Sequence, residues 1–359
     1  MTALFAAVPA VGPFAEDPTV RGTLVTAWFL LLGILLAGYA ILDGFDLGVG
    51  IIHLFVPKDE TERRLAINSI GPLWDGNEVW LVTFGGAMFA MFPYAYATLF
   101  SGFYSAFMLL LVMLIFRAAS IEMRGKMATP VGRRAWDHAF FAASLGATLL
   151  FGVAAGNVVL GVPLDSRGTM TSGVLEQLHP YALFTGVTAV SVFAMHGAIY
   201  LHLKTEGDLH ARLGRVIWTC FGLFLTLFLI QTMWTLVEVP RATLNFRTSR
   251  WLWVVPVANV LAIANIPRSL VLGKPAAAFV SSSFNIFAYV FLLMTALWPN
   301  IIVATDPAYS LSLSDAASSN RTLVIGLIVV AVGMPFVVAY SAVVYWTFRG
   351  KVRLEPHSY

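Results

Sequence analysis

Charge is what this sequence has least of. Asp, Glu, Lys and Arg make up 11% of its 359 residues, against roughly 25% in soluble domains. That shortage excludes an ordinary water-soluble fold. The net charge of +3 is too small and too dispersed for a nucleic-acid surface, which needs Lys and Arg clustered on one face. The single cysteine, Cys220, sits inside an apolar run. It excludes a disulfide framework and any cysteine-rich metal or iron–sulfur site. The first twenty residues lack the basic start and long apolar core of a signal peptide, so they read as a short tail with an interfacial first stretch. No connection is long enough to form a separate soluble domain.

What the sequence has instead is apolar length: 58% of residues are hydrophobic and the mean hydropathy is +0.80. Runs of about twenty apolar residues mark membrane spans. Nine occur, at roughly 24–56, 72–93, 98–117, 138–162, 180–203, 214–237, 251–272, 276–298 and 321–348. The expected fold is an all-α integral membrane protein of about nine transmembrane helices. It forms one transmembrane domain over 1–359, with a tail at 1–23, motif-rich helices over 24–126, further helices over 137–348 and a cytoplasmic tail at 349–359. Of the 22 Lys and Arg residues, one set of alternate segments holds sixteen and the other six. By the positive-inside rule the N-terminus lies outside and the C-terminus in the cytoplasm. Tyr104, Trp136, Trp251, Trp253 and Trp298 lie near span ends, as interfacial aromatics do.

Against that apolar background, four carboxylates stand where spans should have none. Asp43 and Asp46 lie in GYAILDGFDLGVG; beyond a charged turn, Asp75 and Glu78 lie in GPLWDGNEVWL. A charge near the bilayer centre costs ~2.5–3.5 kcal/mol on insertion scales, so such groups face a protein interior and mark ion or proton pathways. Each pair is one helical turn apart and can project from one face toward a common interior. With the orientation above, all four fall in the cytoplasmic half. Gly38, Gly44, Gly48 and Gly50 leave the first helix thin on part of its surface, allowing a neighbour close. A plainer reading stands beside this one. Asp43 and Asp46 can bond backbone or a partner arginine at a helix interface, and Asp75 with Asn77 can cap the second span.

The histidines raise haem ligation. His196 lies within the fifth span, His202 near its cytoplasmic end, and His53 seven residues after Asp46. No pair stands at matching depths, and a lone histidine on an apolar helix is more often a hydrogen-bonded packing residue, so no axial ligand is assigned. The 12 Met and 27 Phe residues read as packing and lipid contact. The third span ends in IFRAASIEMRGK. There Arg117, Arg124 and Lys126 read mainly as a solvated positive-inside loop, with Glu122 placed to collect protons for a route beginning near Asp75.

GYAILDGFDLGVG, TERRLAINSIGPLWDGNEVWLVTFGGAMFAMFP, FSGFY and the ending FR-x4-E-x-R-x-K together resemble subunit II of the cytochrome bd-type quinol oxidases, including the cyanide-insensitive branch. The likeness is densest over 35–126; the later half matches mainly in hydropathy. It implies a complex of the bacterial inner membrane that oxidises quinol, reduces O2 to water with protons taken from the cytoplasm, and so generates proton motive force. Haem b and haem d belong, by the resemblance, to a partner subunit I. Subunit II carries no haem, stabilises that partner, and in some members holds a structural quinone or offers a proton or O2 route. A small single-span accessory chain is a further expected partner. By motif position Asp75, Asp43, Asp46 and Glu122 are proton-pathway candidates, and Glu78 joins them as a fourth intramembrane acid at the depth of Asp43, Asp46 and Asp75. Trp74, Gly76, Asn77, Trp80, Gly44, Gly48, Arg117 and Arg124 are motif or structural positions. Some members carry WDGNQVW where this chain has WDGNEVW, so Glu78 adds a charge. The alternatives are a proton-coupled secondary transporter, which also uses intramembrane acids and glycine-interrupted helices, and an enzyme with its own haem.

Overall fold

The computed structural model describes residues 18–354. The expected tail at 1–23 lies largely outside the described residues, as do the last five positions of the C-terminal tail. The first helix, α1, runs Pro18–Ile52. Its 35 residues are ~50 Å long at 1.5 Å per residue, more than a ~30 Å hydrocarbon core requires. Among the described residues it is helical from six positions before the expected boundary at 24, and Pro18 is compatible with a first helical turn, where no backbone donor is needed.

Then follow α2 (Glu60–Ile70), α3 (Trp74–Met91), α4 (Pro93–Gly102), α5 (Tyr104–Arg124), α6 (Pro130–Leu160), α7 (Pro180–Lys204) and α8 (Gly207–Glu238). The chain continues through α9 (Leu244–Thr248), α10 (Val254–Val271), α11 (Pro275–Leu297), the antiparallel pair β1 (Asn300–Ile302) and β2 (Leu311–Ser312), α12 (Leu313–Ala316) and α13 (Asn320–Thr347). Eight helices among the described residues are long and apolar enough to cross a membrane. The second expected span, α3, falls outside that group because WDGNE opens it with polar groups. Among the described residues nine long helices thus overlap the nine expected runs.

Several boundaries differ from the sequence reading. The charged turn after α1 is the helix α2. Asp59 accepts from the Glu62 N–H at 2.9 Å while Glu62 accepts from the Lys58 N–H at 2.7 Å, two side chains closing one helix start. The expected run at 98–117 is split between α4 and α5 at Phe103. The loop 238–250 is mostly short helical turns, and 299–320 holds β1, β2 and α12.

From Asp43 to Ile52 every residue of α1 is buried, so this half is the axis of the bundle. The glycines make that possible. A Cβ added at Gly48 would lie 1.9 Å from the Phe193 carbonyl oxygen, and one at Gly197 would lie 2.3 Å from the Gly48 carbonyl carbon. The backbones of α1 and α7 therefore touch. The helices alternate between two ends. One, the Arg21 end, carries 161–179, 239–253 and 298–319; the other, the α2 end, carries α2, 125–129, 205–206 and 348–354. Arg21 ties the first end together, donating to the carbonyl of Ser314 at 2.5 Å and that of Ser318 at 3.2 Å. At the α2 end Lys351 donates to the Thr205 carbonyl at 2.8 Å, and the Val352 N–H to that of Lys204 at 2.8 Å.

Candidate intramembrane acid cluster

The site is assembled by a stripe on α5. Most of that helix is exposed or half-buried, but Leu110, Arg117, Ser120, Ile121 and Arg124 are buried, a spacing of three, four and seven that follows one helix face. The stripe turns two arginines inward. Neither Arg117 nor Arg124 belongs to a solvated loop, as the sequence reading had it: both are buried and ion-paired. A guanidinium inside a bundle needs acids within reach, since an unpaired buried charge costs several kcal/mol.

Arg117 finds them on two helices. Its Nη1 donates to Asp43 Oδ1 of α1 at 2.5 Å and its Nη2 to Glu78 Oε1 of α3 at 2.6 Å. Asp43 lies nine residues before the end of α1, ~14 Å in at 1.5 Å per residue. Glu78, the charge this chain adds to the WDGN block, is thus the second half of an Asp–Arg–Glu clamp joining α1, α3 and α5. Its side chain is 24% exposed, so the clamp is open on the α3 side only.

Asp46, one turn beyond Asp43, faces the same interior. Its Oδ2 accepts from Asn77 Nδ2 at 2.8 Å; Asn77 also donates to the Leu42 carbonyl at 3.1 Å and accepts from the Tyr345 hydroxyl at 2.9 Å. Asn77 is therefore the hinge between α1, α3 and α13. Asp43 Oδ2, Asp46 Oδ1 and Arg117 Nε are buried with no protein partner among the described residues. Three carboxyl groups face one guanidinium here.

Asp75 and Glu78 do not share that interior. Asp75 is exposed, on the outward stripe it forms with Val79, Val82, Gly86 and Phe89. It does not cap α3 either: the cap position is Leu73, without a side-chain hydrogen bond. A helix advances 100° per residue, so Asp75 and Glu78 diverge by about 60°, enough to send one out and one in. Among the other motif positions, Trp80 packs its ring where a Cβ on Gly38 would lie, at 2.3 Å, and Gly44 admits the Phe193 ring at 3.1 Å from an added Cβ. Trp74 packs against the larger hydrophobic core, and Gly76 has only Tyr340 near, at 3.5 Å. Glu122 is half-buried on α5, outside the cluster.

A second network, at the α2 end, was not foreseen. Arg124 Nε donates to Asp137 Oδ1 at 2.5 Å and Arg124 Nη2 to Glu60 Oε2 at 2.9 Å, while His53 Nε2 contacts Asp137 Oδ1 at 2.7 Å. His53 lies just past α1 in the following turn, not on the face of Asp46. Burial pushes its imidazole below the ordinary value, against the pull of Asp137. The signal for both networks was the seven-residue spacing of Arg117 and Arg124, one face repeated after two turns.

The described histidines are used within the chain. His196 Nδ1 meets Ser282 Oγ at 2.7 Å and its Nε2 the Ile41 carbonyl at 3.1 Å. His202 and His210 each bond the other's backbone carbonyl through Nδ1, at 3.0 and 2.9 Å, with rings stacked at 3.7 Å. His138 and His179 bond local backbone.

The family model described as cytochrome bd terminal oxidase subunit II matches residues 24–348. The chain belongs to that family. It is 34% identical over 359 residues to cytochrome bd-I ubiquinol oxidase subunit 2 of Escherichia coli (strain K12), covering 91% of this chain and 95% of that one. It is 31% identical over 336 residues to cytochrome bd ubiquinol oxidase subunit 2 of Bacillus subtilis (strain 168), covering 92% and 98%. A chain of the bd oxidase structure from Geobacillus thermodenitrificans superposes with a TM-score of 0.72, covering 91% of this chain and 98% of that one; at 14% identity this likeness shows the fold. As a cytochrome bd subunit II, the chain is part of a terminal oxidase and a multi-pass protein of the bacterial inner membrane. The transporter alternative falls.

Proposed function

We propose that this subunit II serves a quinol:O2 oxidoreductase as the partner of a haem-bearing subunit I, and that its acid cluster passes protons toward that partner. The observation that carries the reading is the imbalance inside the bundle: Asp43, Asp46 and Glu78 around Arg117 alone. In a water-excluded site the uncompensated carboxylates are costly, and taking up protons removes that cost. Buried polar atoms without protein partners, Asp43 Oδ2, Asp46 Oδ1 and Arg117 Nε, are places for ordered water, which commonly completes such sets. Protonatable groups joined by water form a relay.

Glu78 is the group of the cluster nearest the exposed face of α3, and Asp75 precedes it by one turn on that face. A carboxylate is ill suited to lipid, and the stripe that carries Asp75 also holds, three turns further on, the open position Gly86, which suits a closely packed helix. This stripe is the proposed contact with subunit I, where by resemblance haem b and haem d, quinol oxidation and O2 reduction reside. Haem in that partner supplies the redox chemistry; this chain's residues hold and pass protons. The small single-span accessory chain and a structural quinone rest on the resemblance alone. With the sixteen-to-six distribution of Lys and Arg, the α2 end faces the cytoplasm, so protons enter past Glu122 and the α2 end.

Asp75→Asn tests whether the route leaves the cluster across the exposed face of α3. It keeps shape and most hydrogen bonding but removes the titratable proton. The complex is expected to assemble with unchanged haem absorption and to consume O2 slowly, the defect deepening as pH rises and protons become scarce. Wild-type turnover across pH would make Asp75 an interface residue only.

A further inference from the structure

At the Arg21 end, residues 239–253 form a shelf of short helical turns before α10. Three contacts fix it. Arg241 Nη2 bonds the Val159 carbonyl, and Asn245 Nδ2 donates to the carbonyls of Thr295 at 2.8 Å and Trp298 at 3.0 Å. Phe246 is buried with its ring 5.2 Å from that of Trp253. Two arginines of the shelf, Arg247 and Arg250, are exposed and make no hydrogen bond or ion pair with the described residues. No Asp or Glu occurs between Glu238 and Asp306, so this stretch of chain carries no acid to neutralise them.

Beside Arg250 lies an open groove of about 430 Å³, lined by Arg250, Trp253, Val254, Val257, Ala258 and Leu261. Its wall is the outward face of the membrane helix α10. From Val254 to Leu261 that face descends ~10 Å at 1.5 Å per residue, two thirds of the ~15 Å hydrocarbon depth of one leaflet. A guanidinium at the mouth, an indole at the interface and a branched aliphatic wall below match, in order, the phosphate, the glycerol-ester region and the acyl chain of a phospholipid. A second groove, on α8, has the opposite mouth: it is lined by Leu229, Ile230, Met233, Trp234 and Val237 with Glu238. The two grooves have similar walls and differ in the sign of the charge above them.

We propose that the groove beside Arg250 is a binding site for an anionic glycerophospholipid, its phosphate held by Arg250 and Arg247 and one acyl chain lying along Val254, Val257 and Leu261. Guanidinium bonds phosphate through paired donors, and no carboxylate of the described residues pairs with Arg247 or Arg250, which leaves their charge to be met by the lipid. The fixed shelf holds the headgroup contacts in register with the wall, so binding does not wait on ordering a loop.

The test is lipid binding to the purified oxidase complex by native mass spectrometry, titrating palmitoyl-oleoyl phosphatidylglycerol and, separately, palmitoyl-oleoyl phosphatidylcholine. Wild-type complex is expected to bind phosphatidylglycerol saturably. Arg247→Gln/Arg250→Gln, at exposed and unpaired positions, should keep the complex intact and weaken that binding about thirtyfold, from ~1 kcal/mol for each arginine near a charged surface. Phosphatidylcholine on wild-type complex should resemble phosphatidylglycerol on the double variant. Val257→Trp fills the wall, leaves both arginines, and should weaken both lipids. Wild-type affinity in the double variant, equal binding of the two lipids to wild-type complex, or loss of a protein subunit instead of lipid would each overturn the proposal.

Discussion

Replacing Arg117 by Met tests the clamp at its centre. The substitution keeps an unbranched side chain of similar reach and deletes the guanidinium that Asp43 and Glu78 share at 2.5 and 2.6 Å. Breaking a buried pair by removing one partner costs ~3–5 kcal/mol, because the remaining charges are left uncompensated. Asp43 has no exposure, and Glu78 reaches only the α3 face, so little of that cost can be relieved by water. The variant complex should lose thermal stability at neutral pH, and acid should restore part of it as the stranded carboxylates take up protons. A second substitution, Asp43→Asn, removes one stranded charge. The pair should therefore be non-additive, with Arg117→Met/Asp43→Asn more stable than the sum of the single effects by ~1–3 kcal/mol, the range for groups in contact. The assay is heat-induced loss of the monodisperse complex in detergent, read across the four-member cycle. Strict additivity, or an Arg117→Met complex as stable as wild type, would refute the argument.

Gly48→Ala places a Cβ 1.9 Å from the Phe193 carbonyl oxygen and should drive α1 from α7; overpacking costs ~1–3 kcal/mol or more. Its complex yield should collapse, while Gly222→Ala, with nothing within 4 Å, should assemble normally. His53 is held below its ordinary value of about 6.5. The unfolded chain therefore binds the extra proton first, and stability at this site is present above that value and lost as pH falls below it. His53→Gln should flatten that part of the pH–stability profile of the complex; an unchanged profile would show that His53 does not titrate there. Reporters fused after Tyr359 should read as cytoplasmic and those near Arg167 as external. The reverse pattern would invert the route.

The spans were legible because twenty-residue apolar runs are long compared with any turn, and the DGFD and WDGN blocks were legible because acids in such runs are rare. What the sequence hid was direction. Asp75 and Glu78 are one turn apart and look equivalent on paper, yet a 60° divergence sends one outward and the other onto Arg117. Arg117 and Arg124 read as a basic cytoplasmic loop because positive charge at a span end is usually that. Their inward turn depends on partners up to 74 residues away in sequence, such as Asp43, which no local pattern displays. Asn77 was named as a motif residue, but its link to Tyr345 spans 268 positions and required the fold. α3 shows the same limit from the other side. Its polar opening weakens it as an apolar run, and packing against α1 holds it in place.

The central claim is that the cluster around Arg117 holds and releases a proton during turnover. Infrared difference spectroscopy of the complex, oxidised against reduced, reads protonated carboxyl groups directly through their C=O stretch. The account predicts a carboxyl band in wild type that disappears in at least one of Asp43→Asn, Asp46→Asn and Glu78→Gln while haem absorption is unchanged. A band that survives all three substitutions, or none in wild type, would contradict it.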